Sequence, residues 1–176
     1  MPIKIKVAGW SRVGFTLLLL GCGPSLAEQT REQGALLVAP SQEDFPEVAD
    51  ALQLSCATLD CHGQVGRNLR IYGFGGLRLS DIDSPGGDPT TDLEYLASYD
   101  SLVGLEPEAL SRVVTLQADP NQLSLVRKTR GIEHHKGGQR ALTGDALDRC
   151  LVLWLTGRFD PEPCVQVADA SHPEIE

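Results

Sequence analysis

SQEDFPEVADALQLSCATLDCHG, residues Ser41–Gly63, is the stretch on which the fold turns. Phe45, Val48, Leu52, Cys56 and Leu59 recur at spacings of three and four, which marks one apolar face of an amphipathic helix. Ser41 opens it, with a hydroxyl able to accept a backbone N–H three residues on. Pro46 falls in the first turn, where the missing N–H costs nothing. Cys56 therefore lies on the buried face near the helix end. Cys61, His62 and Gly63 follow directly.

Working outward, Gly63–Leu79 is glycine-rich and irregular, and Leu77-Arg78-Leu79 alternates as a short strand of a β-hairpin would. Ser80–Thr91 contains Pro85-Gly86-Gly87 and Pro89 and reads as a loop. The spacing of its Asp81, Asp83 and Asp88 matches no calcium loop, so these are solvated charges. Helices are expected over Thr91–Tyr99, capped by Thr91 or Asp92, and over Pro107–Gln117, where Leu110, Val113, Val114 and Gln117 make an apolar stripe. Leu123–Val126 is a short apolar stretch leading into a basic loop, Arg127–Arg140. A last helix starts near Thr143 or Asp145, carries Leu147, Cys150, Leu151, Trp154 and Leu155, and stops at Gly157. The pattern is all-α, mostly helical with long glycine-rich loops. One domain over 41–159 precedes a polar C-terminal tail, 160–176, in which His172 is a solvated bystander.

The N-terminus reads as an export signal. Lys4, Lys6 and Arg12 form a basic region before an apolar run, Val13–Gly21, about half the ~20 residues a membrane-spanning helix needs. Leu19-Leu20-Gly21-Cys22 resembles a bacterial lipoprotein box in which Cys22 becomes the lipidated first residue. Ser25-Leu26-Ala27 is the competing site for an ordinary signal peptidase. The lipoprotein reading makes 1–21 a signal peptide and 22–40 a membrane tether, with acyl chains holding the domain to a membrane face. Gly23, in place of an aspartate, points by the same resemblance to the outer membrane, facing the periplasm.

Among the 176 residues are 15 Lys and Arg against 24 Asp and Glu, and removal of the signal takes three of the cations. A domain so acidic repels nucleic acid, which is excluded as a partner. Aromatics are only 5% of the chain, so a bound cofactor would add core volume that side chains do not. Once Cys22 is assigned to lipid, Cys56, Cys61, Cys150 and Cys164 remain, an even number for an oxidising compartment. Cys150 and Cys164 are 14 residues apart, and a disulfide between them would clip the tail to the last helix, with a stabilisation of about 3 kcal/mol.

Cys56, Cys61 and His62 allow three chemistries. Two thiols beside a histidine are what covalent haem attachment requires, although the common spacing has two residues between the cysteines and here there are four. A disulfide between Cys56 and Cys61 is the second. A zinc site with His62 and His134 or His135 is the third. Arg67, Arg70, Arg127, Lys128, Arg130, Lys136 and Arg140 surround these candidates in sequence. No Ser-His-Asp set, P-loop or catalytic carboxylate pair is recognisable by spacing, which favours a carrier over an enzyme.

The helix ending in cysteines, Cys61-His62-Gly63, then Gly76-Leu77-Arg78-Leu79, His135-Lys136-Gly137-Gly138 and the helix Leu151–Leu155 together resemble the small cytochrome c-like domains of bacterial secreted proteins. The resemblance covers roughly Phe45–Gly157. It implies haem c held covalently by Cys56 and Cys61, His62 as the proximal iron ligand, and a redox partner protein. Many such domains use methionine as the second ligand, but the only methionine here is Met1, so His134 or His135 takes that place or the position is open. The function so implied is electron transfer or redox sensing by a lipid-anchored envelope protein. The alternative is a haem-free, disulfide-stapled envelope lipoprotein acting in binding or assembly.

Overall fold

The computed structural model describes residues 36–171. The basic segment, the Leu run, Cys22, both cleavage sites and His172 lie outside them. Among the described residues are six α-helices: α1 (Phe45–Cys56), α2 (Asp92–Val103), α3 (Pro107–Val114), α4 (Ser124–Thr129), α5 (Ala146–Leu155) and α6 (Glu162–Ser171), with a 3-10 turn at Pro120–Gln122. The expected all-α class is the one observed. No described helix is long and apolar enough to cross a membrane.

Helix α1 begins four residues after the expected start at Ser41, and Asp44 stands at its cap position without a side-chain bond. Ser41 Oγ accepts the Asp44 N–H at 3.3 Å, and the first regular turn follows at Phe45. Phe45, Val48, Ala49 and Leu52 are buried. The expected face does not continue to Leu59, which is 52% exposed, because the helix ends at Cys56 and the chain turns away. In α2, Thr91 and Glu94 form a reciprocal capping box, and the helix runs to Val103, beyond the expected Tyr99. Helix α3 stops at Val114, short of Gln117, since Leu116 takes φ +58° and its N–H turns back to the Val113 carbonyl. Asp145 caps α5 by accepting the Asp148 N–H at 2.9 Å, and Gly157, at φ +65°, closes it.

The core is centred on Phe45, Tyr99 and Trp154, whose ring centroids lie 5.1–6.3 Å apart in tilted or edge-on contact. The two polar tips reach backbone just ahead of α1. Tyr99 Oη donates to the Pro40 carbonyl at 2.8 Å, and Trp154 Nε1 to the Ser41 carbonyl at 2.7 Å. Residues 38–41 are thus bonded into the domain, and Val38 N–H adds a bond to Ser111 Oγ.

Two expectations are corrected. Leu77-Arg78-Leu79 is not a strand. Among the described residues only an isolated Tyr72–Leu77 bridge occurs, and the alternation places Arg78 inside and Leu79 outside. Arg78 is buried because it carries an ion pair: its Nε meets Glu94 Oε1 at 2.8 Å, while its other nitrogens donate to the Asp88 and Pro89 carbonyls. Second, residues 162–171 of the expected polar tail are helix α6, packed against α1 and α5. Its short stripe of Pro163 and Cys164, both buried, with Val167 one turn on, is what holds it. Cys150 and Cys164 are joined by a disulfide, with Cα atoms 4.9 Å apart, and both are fully buried.

Candidate functional site

The site forms where the end of α1 meets two loops. Cys56 closes α1, and the turn after it is fixed by its own backbone: Cys61 N–H bonds to the Thr58 carbonyl at 2.8 Å and His62 N–H to the Cys56 carbonyl at 3.1 Å. Gly63 is required here, since a Cβ would come within 2.1 Å of the Ala57 carbonyl oxygen. Arg67 braces the turn by donating from Nε to the Cys61 carbonyl at 3.0 Å and from a terminal nitrogen to that of Asp60 at 3.1 Å.

His62 Nδ1 lies 3.0 Å from the Leu69 carbonyl oxygen, an arrangement satisfied when Nδ1 carries the proton and donates. That tautomer leaves the lone pair on Nε2, the usual preparation of a metal-binding imidazole. Across from it stands His135, its ring centroid 5.8 Å away and its plane within 22° of parallel. His135 Nδ1 is 3.4 Å from the Gly138 carbonyl oxygen, so the second imidazole is oriented by the same kind of contact. Gly138, at φ +69°, makes the tight turn that folds this carbonyl back. Of the two distal candidates the fold brings His135 to His62. His134 is exposed and lines neither cavity of the site.

Two cavities are lined by the histidine pair. One, of about 610 Å³, is lined by Asp60, Cys61, Gln64, Arg67, Lys136 and Arg140 as well as both imidazoles. The other, of about 260 Å³, is mixed in character, with Cys56, Leu52, Leu69, Leu105 and Leu125 beside Asn68, Glu106, Ser124, Lys128 and Thr129, and shares His62, His135 and Arg140 with the first. Both thiols are unbonded and half-buried. Burial pushes the Cys56 thiol up to about 11, with Arg140 opposing the rise and Cys61 adding to it. Burial also lowers the pKa of His62, against the pull of the Leu69 carbonyl, and the nearby His135, Arg67 and Lys128 add to the lowering. The imidazole is thereby kept neutral and able to ligate. The zinc alternative is not supported, since the described residues contain no group of three or more His, Cys, Asp or Glu placed to hold a metal ion.

The seven cations that sequence places around the site divide. Arg127 and Lys128 pair with Glu133, and Arg130 with Asp148 at 2.6 Å, although Lys128 also lines the smaller cavity. Arg70 stands apart, its Nε buried without a partner. Only Arg67, Lys136 and Arg140 line the larger cavity. The orienting carbonyls of Leu69 and Gly138 have no signature in sequence, because any residue supplies a carbonyl. Only the glycine after His135-Lys136-Gly137 hinted at a turn there.

These residues fit a covalently attached haem. Two unbonded thiols flank a histidine whose Nε2 is free, and a second imidazole faces it. Comparison of the chain with family models, with curated proteins and with solved structures finds no match.

Proposed function

We propose that this chain is an exported, lipid-anchored electron carrier with one covalent haem c, working in the cell envelope. The observation that carries this reading is the pair His62 and His135, each with Nδ1 against a backbone carbonyl and the rings 5.8 Å apart, flanked by two free thiols. When bound, the haem supplies a one-electron iron couple. Cys56 and Cys61 would hold it by thioether bonds, and His62 with His135, in preference to His134, would supply the imidazole ligands to its iron. With two imidazoles as ligands, the potential falls below that of a Met/His pair. Leu52, Leu69, Leu105 and Leu125 contribute apolar surface to one side of the site. Electrons pass through the haem edge, so the domain needs a partner protein and no substrate pocket. Lipidation at Cys22 would keep it on the outer membrane, facing the periplasm.

The test is an absorption spectrum of the mature protein made in the periplasm of a host with working cytochrome c maturation. Haem that survives denaturing electrophoresis, with a Soret band that shifts on reduction and is altered by His135→Ala but not by His134→Ala, is the expected result. A colourless product sinks the reading in favour of a haem-free envelope lipoprotein stapled by Cys150–Cys164.

A further inference from the structure

The segment that carries the Leu69 carbonyl is held from two sides. Ile71 N–H donates to the His62 carbonyl at 2.9 Å, and the Leu69 carbonyl meets His62 Nδ1 at 3.0 Å, so the odd positions of 68–72 face the histidine. The even positions face α2. Ser101 Oγ accepts the Arg70 N–H at 2.7 Å and donates to the Asn68 carbonyl at 3.4 Å. Ser98 Oγ accepts the Tyr72 N–H at 2.8 Å and donates to the Tyr72 carbonyl at 3.3 Å. This is the alternation of a strand between two partners, with a pair of helix serines where a neighbouring strand would stand. Ser98 and Ser101 are three apart and share one face of α2.

Neither serine is explained by α2 itself. Serine is a poorer helix former than alanine, and inside a helix its hydroxyl ordinarily turns to solvent or back to the carbonyl four residues earlier. Here both hydroxyls reach out of the helix to another segment, and Ser98 does so while only 2% exposed. We infer that Ser98 and Ser101 are positioning residues for His62: they fix where the Leu69 carbonyl stands, and through it which ring nitrogen of His62 carries the proton. Loss of either hydroxyl frees that edge of 68–72 from α2 and lets the Leu69 carbonyl drift from Nδ1. Protonation at Nδ1 and at Nε2 then become comparable, and the lone pair no longer stays on Nε2. The device works through backbone geometry, so it acts on His62 whether or not the ring holds a metal. The redox arm of the test rests on the proposed haem reading, in which the Nδ1–H bond to a carbonyl makes the imidazole a stronger donor to iron.

The experiment uses the full chain, made without haem and, separately, with working cytochrome c maturation, for wild type, Ser98→Ala, Ser101→Ala, Ser101→Thr and Tyr99→Phe. Tyr99→Phe removes the bond from α2 to the Pro40 carbonyl and leaves 68–72 alone, so it reports what a weakened α2 does by itself. In the haem-free chain, nitrogen NMR of the His62 ring should show the Nδ1–H tautomer in wild type, Ser101→Thr and Tyr99→Phe, and a mixture of tautomers in the two alanine variants. In the haem-bearing chain, the alanine variants should move the reduction equilibrium toward the reduced form by up to about tenfold, ~59 mV for one electron. A His62 tautomer that in both alanine variants matches wild type, or moves no further than in Tyr99→Phe, overturns the inference. No haem in wild type overturns the proposed function, and the tautomer measurement still decides this inference. Should Ser98→Ala fail to fold, Ser101→Ala, at a half-buried position, carries the test.

Discussion

An imidazole becomes a good iron ligand when something else decides its tautomer, and in this site the main chain does so for both rings. The Leu69 carbonyl serves His62, and the Gly138 carbonyl serves His135. The second arrangement depends on Gly137. The His135 ring lies over its α carbon so closely that a Cβ there would sit 2.9 Å from His135 Cε1. Gly137→Ala is therefore expected to displace the ring and weaken distal ligation. On the proposed haem reading, wild type would resist carbon monoxide in the reduced form and Gly137→Ala would bind it. Gly138→Ala is the comparator. Its Cβ would meet open space, so the left-handed φ of +69° costs about 1 kcal/mol without pushing the ring. A Gly137→Ala protein as resistant to carbon monoxide as wild type would remove Gly137 from the positioning of His135.

At the scale of the element, the first turn of α2 does more than start a helix. Glu94, 1% exposed, closes the capping box with Thr91, accepts the Leu79 N–H at 3.2 Å and pairs with Arg78. Arg78 in turn holds the Asp88 and Pro89 carbonyls, so one buried pair ties the loop after Leu79 to the helix. Arg78→Leu leaves a buried carboxylate without its counter-charge, and chemical denaturation should report a loss of about 3–5 kcal/mol. Burial pushes the Glu94 carboxyl up, but the Thr91 and Leu79 amides and the Arg78 guanidinium outweigh it and hold the carboxyl below its usual range. The resulting stability is complete above the unfolded value of about 4.5 and is lost as pH falls through the depressed folded value. Denaturant midpoints measured from pH 6 down to pH 3 should show that loss in wild type and a flatter profile in Arg78→Leu.

Across the whole molecule, α6 closes the fold by packing on both α1, which ends in Cys56, and α5. The Cys150–Cys164 disulfide secures it across a separation of 14 residues. Replacing both cysteines by serine should cost about 3 kcal/mol and lower the unfolding midpoint, while the haem spectrum at ambient temperature persists. The histidine pair and attachment turn lie in other segments. Loss of the haem spectrum in that variant before any loss of helical signal would mean that α6 supports the site directly. Wild type under reducing conditions should reproduce the double variant's midpoint.

How much of this was legible in sequence varies with the range of the interaction. The apolar face of α1, the Thr91 cap, the Asp145 start and the Gly157 stop were readable, since caps and apolar periodicity act within a few residues. Cys56, Cys61 and His62 were visible as a constellation for the same reason, and the Cys150–Cys164 pairing followed from there being few thiols. The short stripe of α6 was too brief to announce a helix, and Leu77-Arg78-Leu79 imitated a strand because its inward residue is an arginine matched by a glutamate 16 positions on. The choice of His135 over His134, the orienting carbonyls, and the division of the cations into those paired with Glu133 or Asp148 and those lining the larger cavity were decided only in the tertiary structure. Each depends on groups brought together from separate loops, and which of two adjacent histidines points inward is set by packing that local sequence does not encode.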